Sequence, residues 1–441
     1  MPDLATAEVN RRDWGLVRGI GPIGLAANMV NYTVGASIFV MPALTAKVAG
    51  AWAPVAFLIA AIANAALTIC YAEATSRVPT SGGQAGFTEV AFGRFAGFLA
   101  GVLTYLANLL AAGAILAAAA DTAAAFAPVL GTPLVRAGLI IGWASLLLAL
   151  NTRGVRSATR VVAWAATVKL IPLAIFLMVG VFFIDPAYLP MPSLPVSPGL
   201  GDAALLAVFL FAGVHGAMLT GGEIRDPART LPRALVLGLV AITVIFVGAQ
   251  LVAQGILGPD LAGSRTPLAD ALGRVSPGLR VLMLAGALVS MLGWTASEAL
   301  NTPRLLFAMA RDGRLPAWLG VLDPDSHVPV RAIAAHLAVA ALLAIGGSFA
   351  LLAVVSTLVL VLLFIGAALA ALQLRRRGVA LGGALTPLPG LSLAAPVVIV
   401  VMLWVGVQAT AVQGLAMLGL IGALALWFWM AERVRGSVHS S

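Results

Sequence analysis

Apolar runs of about twenty residues recur along the chain, parted by short stretches where glycine, proline and arginine gather. A helix needs ~20 apolar residues to cross ~30 Å of hydrocarbon. Within a bilayer every backbone N–H and C=O must also find its partner inside the protein. Together these demands predict an all-α polytopic membrane protein. Windows of that length fall near residues 19–48, 52–76, 95–126, 134–151, 160–184, 201–222, 233–257, 279–310, 331–349, 351–373, 393–411 and 414–432, about twelve in all. Only 10% of the 441 residues are charged and 61% are hydrophobic, whereas soluble domains carry about 25% charge. Residues 1–18 read as a polar tail, and the first span is too long for a signal peptide and lacks a convincing cleavage site, so it is expected to be retained.

The net charge of +9 suggests nucleic acid until its placement is considered. With the amino terminus inside, the outer segments hold only Lys47, Arg136, Arg265, Arg274 and Arg280, while Lys169 falls within a span. The rest of the 26 basic residues lie on the inner side, as the positive-inside rule expects of a multi-pass protein of the cell membrane. Both termini, including the tail at 433–441, are then cytoplasmic, and the basic charge requires no nucleic acid.

Two spans are interrupted. Gly19–Lys47 breaks at Gly35-Ala36-Ser37 and again at Pro42, and Asp202–Glu223 breaks at Gly213-Val214-His215-Gly216. An unwound turn at membrane depth is tolerated only beside a cavity. It leaves free N–H groups at the start of the next half-helix, where the dipole favours an anionic group such as a carboxylate. Paired interruptions in two halves of a chain point to a midplane site between inverted repeats. The competing reading, glycines that merely let helices approach closely, weakens when two spans share the pattern.

Other chemistry lacks its parts. The single cysteine, Cys70, excludes a disulfide framework or a cysteine metal cluster, and the four histidines are His215, His327, His336 and His439. Hydrolytic H-E-x-x-H and G-x-S-x-G motifs and a phosphate-binding G-x-x-x-x-G-K-[ST] loop are absent from the sequence. An enzyme, a resident metal and a cofactor are therefore not expected, and a channel filter would require repeated carbonyl or charged rings.

The runs VGASIFVMPA, YAEATSRVPTSGGQ with AFGRFAGFLAG after it, FLFAGVHGAMLTGGEIRDPARTLPRAL and PRLLFAMARDGRLP resemble the amino acid–polyamine–organocation permeases in the expected order. The resemblance implies a five-plus-five inverted repeat, residues 19–184 and 201–373, followed by two helices at 393–432. It further implies an amino acid substrate whose carboxylate meets N–H groups of Gly35, Ala36, Ser37 and Ile38. The amino group would meet carbonyls near Tyr32, Thr33, Phe211, Ala212 and Gly213, with Phe209 as an aromatic gate. Two departures stand out: Ser37 replaces the usual second glycine of the first break, and His215 stands where many relatives have an acid. The latter argues against a cationic substrate.

Lys169 lies nine residues past Arg160, ~14 Å along a helix, and an isolated lysine there costs ~2.5–3.5 kcal/mol on insertion scales. Similarity to proton-coupled permeases implies that its ammonium occupies the place of sodium in sodium-coupled ones, making it the candidate proton-coupling residue. The bland alternative is a structural lysine donating to carbonyls of the broken first helix. One proton suffices, since moving a charge through ~120 mV releases ~2.8 kcal/mol and sustains ~100-fold accumulation. His215, a residue that titrates near neutrality, is expected either to touch substrate or to bond a carbonyl. Glu298 is expected to cap a polar seam with Asn301 and Thr302, or to pair with Lys169 or a cationic substrate. Trp294 and Asn108 read as packing groups. Glu73 and Glu223 read as solvated ion pairs at inner helix ends, and Arg375-Arg376-Arg377 as a headgroup anchor.

Overall fold

A computed structural model describes residues 21–78, 83–152, 169–189, 196–213, 227–311, 313, 315–324, 326, 328–381 and 390–438. Among these residues all regular structure is helical. The first span divides into α1 (Pro22–Thr33), a 3-10 turn (Ala36–Phe39) and α2 (Met41–Ala49). Then follow α3 (Ala53–Arg77), α4 (Gly83–Phe92), α5 (Arg94–Ala124), α6 (Pro133–Thr152), α7 (Leu170–Gly180) and α8 (Leu200–Phe211). The remainder comprises α9 (Pro227–Leu257), α10 (Pro267–Gly273), α11 (Pro277–Asn301), α12 (Pro303–Arg311), α13 (Val330–Gly346), α14 (Phe349–Arg376), α15 (Leu391–Gly406) and α16 (Ala411–Val438).

Proline opens α1, α2, α3 and α11 in the first turn, where its missing N–H has no intrahelical acceptor to lose. Gly346-Gly347-Ser348 parts α13 from α14, close to where the windows 331–349 and 351–373 divide, and Ser348 Oγ accepts from the Leu351 N–H at 3.3 Å to cap the new helix. Seven stretches among the described residues are long and apolar enough to cross a membrane, and four further apolar helices are shorter. The molecule is a multi-pass membrane protein. Three departures from the predicted elements stand out. The window 279–310 divides at Thr302, before Pro303, and the unpredicted α4 and α10 occupy segments read as loops.

Lipid tails are as apolar as leucine, so helices in a bilayer associate through close packing and hydrogen bonds rather than through escape from water. The central helix α5 shows the consequence. Ala111, Ala112, Ala114 and Ala117–Ala120 are buried, and the small side chains let α14, α13 and α11 lie along the same rod. One face of α5 joins a core with α2, α3, α8, α9, α11 and α14, and the other joins a second core with α6, α12 and α13. Polar ties supplement this packing. Tyr71 donates to Gln84 Oε1 at 2.5 Å, and Gln84 Nε2 donates to the Leu363 carbonyl at 2.6 Å, which links α3, α4 and α14.

The charged helix ends differ from expectation. Glu73 is 1% exposed, accepting from Arg77 Nε at 2.7 Å and from Arg375 Nε at 2.8 Å. It is a buried staple between α3 and α14, not a solvated pair. Arg375 is drawn to Glu73, and the exposed Arg377 donates from Nη1 to the Ala91 carbonyl at 3.1 Å.

Candidate functional site

The first span loses its helical ladder at Val34, whose backbone has φ −73° and ψ 81°. The Val34 N–H still reaches the Val30 carbonyl at 2.7 Å, the Gly35 N–H folds back to the Thr33 carbonyl at 2.8 Å, and the 3-10 turn begins at Ala36. That turn has no side-chain cap, so its leading N–H groups are of the kind a helix start leaves without an internal acceptor. Residues 33–39 are all buried, although Thr33 Oγ1 and Asn31 Oδ1 have no hydrogen-bond partner. Of the residues predicted for this half, Thr33, Gly35, Ala36, Ser37 and Ile38 therefore share one buried turn. Tyr32 lies in the last turn of α1, with its side chain outside the described residues.

Lys169 meets the same place from another helix. It is 6% exposed, caps α7, and donates from Nζ to the Asn31 carbonyl, two residues before Thr33. The interrupted α1 thus gains at Asn31 a donor its own backbone does not supply.

The second predicted break is only partly described. α8 ends at Phe211, Ala212 and Gly213 form a turn, and 214–226, His215 and Glu223 with them, lie outside the described residues. α8 packs on α2, α3 and α14. Phe209 sets its ring edge-on to Phe349 of α14, with centroids 5.8 Å apart. Phe211 is fully buried and packs edge-on against Phe246 of α9.

Glu298 departs most from its sequence readings. Its Oε2 lies 2.9 Å from His336 Nε2 on α13, and not with Lys169, which bonds Asn31. Trp294, one turn earlier on α11, does pack as expected, but against the break itself. A β-carbon on Gly35 would lie 3.2 Å from its Cδ1 and 3.6 Å from its Nε1. Ser290, Trp294 and Glu298 stand at i, i+4 and i+8 and so share a face of α11. That spacing was the available signal for Trp294. His336 carries no comparable mark, being one histidine in an alanine-rich run.

A small space of about 10 Å³, lined in part by Phe39, Thr122, Met283 and Ala287, adjoins the 3-10 turn, enough for about one water. An open groove of about 530 Å³ lies elsewhere, between Leu257 and Arg274. Its charged lining is Asp260, Asp270 of α10 and Arg274, which pairs with Asp260, and it is remote in sequence from either break. Among the described residues no group of three or more metal-ligating side chains comes together.

A family model described as amino acid permease matches residues 20–431. The chain is similar to an uncharacterized transporter of Mycobacterium bovis, at 31% identity over 327 residues, 73% of this chain and 71% of that one. It is similar to the methylthioribose transporter of Bacillus subtilis at 25% identity, covering 74% and 75% of the two chains. It is also similar to the vacuolar cationic amino acid transporter 4 of Arabidopsis thaliana at 25% identity, covering 75% and 58%.

Proposed function

Because this chain belongs to the amino acid permease family, we propose that it is a secondary active transporter of amino acids in the cell membrane, coupled to protons and independent of sodium. In this reading the chain is a five-plus-five inverted repeat with both termini cytoplasmic. The uncapped turn at Ala36–Ile38 receives the substrate carboxylate, and carbonyls at the two breaks receive its amino group. The observation that carries the proposal is the Lys169 ammonium on the Asn31 carbonyl, beside the unpaired Thr33 and Asn31 oxygens. A buried cation there meets the opened helix end, and losing its proton would weaken that tie.

Engagement of Glu298 by His336 leaves a cationic substrate one anionic partner fewer and favours a zwitterion with an uncharged side chain. An exchanger or exporter of amino acids or polyamines would use the same fold with another driving gradient. One relative is named for methylthioribose, so that compound belongs in the ligand screen beside the amino acids and polyamines. A ligand that binds only the native state raises its melting temperature by mass action.

Purified protein in liposomes, given an inward proton gradient without sodium, is expected to accumulate an amino acid, and Lys169→Ala to lose gradient-driven uptake while retaining binding. Unchanged driven uptake in Lys169→Ala would remove the lysine from the coupling scheme. Flux that requires substrate on the far side would convert the reading to obligate exchange.

A further inference from the structure

Glu298 and His336 meet across the seam between α11 and α13, at 7% and 0% exposure. Each holds one polar atom without a partner, Glu298 Oε1 and His336 Nδ1. Buried polar groups in native proteins are overwhelmingly paired, and a network satisfied at one atom of each member leaves the others in a low-dielectric setting. Both atoms, His336 Nδ1 and Glu298 Oε1, belong to ionisable groups already in contact with one another. We propose that Glu298 and His336 form a proton-binding site separate from Lys169, with His336 Nδ1 as the atom that takes the proton.

A carboxylate oxygen 2.9 Å from Nε2 is matched by an Nε2–H donor, which leaves Nδ1 as a bare lone pair. That form has a net charge of minus one at membrane depth, where an uncompensated charge is costly. A proton from water adds to Nδ1, the ring becomes imidazolium, the Nε2–H bond to Oε2 is kept, and the pair becomes neutral overall. Release breaks the same N–H bond and returns the proton to water.

The surroundings leave this charge balance to the pair. From α5, Tyr105 sets its ring edge-on to His336 at 5.8 Å. From α6, Arg136 pairs with Asp121 and donates to the Ala344 carbonyl, two turns along α13 from His336. Arg304 and Arg311 of α12 and Arg331 of α13 are exposed. On α11 itself Arg280 pairs with Asp270 near the opposite end, and from α7 Lys169 is held at Asn31. Among the described residues, the carboxylate of Glu298 is the counter-charge in contact with this imidazole. Trp294 stands one turn from Glu298 on the same face and touches Gly35, so a charge change at the pair lies one helical turn from the break. That last consequence rests on the transport reading; the proton site does not.

Ring-nitrogen NMR of the full chain in lipid nanodiscs, with isotope-labelled histidine and no substrate or gradient, tests the assignment. The His336→Gln variant identifies the His336 signals. As pH falls, Nδ1 is expected to pass from bare to protonated while Nε2 stays protonated. Glu298→Gln, which keeps the shape but removes the charge, is expected to displace the midpoint by about one pH unit or more, while Glu298→Asp retains the step. A His336 ring whose two nitrogens hold the same state throughout the folded range would overturn the proposal, as would an undisplaced midpoint in folded Glu298→Gln. Because transport is not measured, failure here leaves the transport reading intact, and failure of that reading leaves this result intact.

Discussion

The indole of Trp294 lies against Gly35, with Cδ1 3.2 Å from the position a β-carbon on that glycine would take. Gly35 itself is extended, with φ −102° and ψ −158°, a conformation open to any L residue. Contact and not torsion selects glycine at this point of the break. Gly35→Ala is therefore expected to destabilise the protein by about 1–3 kcal/mol through overpacking. In a Trp294→Ala background the same change should cost less than about 0.5 kcal/mol, because the two sites share the contact. Thermal unfolding of the four proteins of the cycle decides it, and equal costs in both backgrounds would return the explanation to the backbone.

A tighter contact positions the helix that begins after Lys169. A β-carbon on Gly286 of α11 would come within 2.2 Å of Pro172 Cγ on α7, and a proline ring tied to its own backbone cannot swing aside. Gly286→Ala is expected to force α7 away from α11, lowering stability by about 3 kcal/mol, the upper end of overpacking costs. Since α7 holds Lys169 at its start, driven uptake should fall with it. Gly142→Ala is the matched control, because nothing lies within 4 Å of its new methyl. Equal melting temperatures for the two variants would show that the α7–α11 approach is looser than described.

Glu73 offers a third measurement. With the carboxylate buried between Arg77 and Arg375, removing it takes the counter-charge from a guanidinium that is 7% exposed and keeps a bond to the Val379 carbonyl. Breaking one side of a buried pair costs about 3–5 kcal/mol, and Glu73→Ala should fall in that range. Arg377→Ala, which gives up a bond to one carbonyl, should lose about 1 kcal/mol. Comparable losses for the two variants would mean that Glu73 behaves as a solvent-screened surface charge.

Much of the helical pattern was legible because it depends on local rules. Proline starts, the Gly346–Ser348 gap and the interruption at Gly35 are each written within a few neighbouring residues. The division at Pro303 could also have been read, since proline opens a helix more readily than it continues one. What stayed hidden depends on distant partners. Glu73 at the end of an apolar run looks like an interfacial charge until Arg375, 302 residues away, closes over it. Glu298 resembles a seam residue until His336 arrives from another helix. Lys169 was the reverse case, because a lysine deep in an apolar span needs an internal partner, and its contact with a carbonyl of the broken helix was one of the alternatives foreseen. At the second break His215 lies outside the described residues and stays an expectation from sequence alone.

The last helix, α16, takes its shape from a different requirement. Along Ala411–Met430 its large side chains point outward, with Val412 77%, Leu415 69% and Leu418 67% exposed. Phe428, packed on Phe95 and Phe98 of α5, is the buried exception. Oil rather than a neighbouring protein surface is then the main judge of most positions here, and oil does not distinguish one branched hydrocarbon from another. Homologous sequences should wander freely among greasy residues along this rod while keeping an aromatic at 428, which makes it the natural place to hang a probe or a fusion.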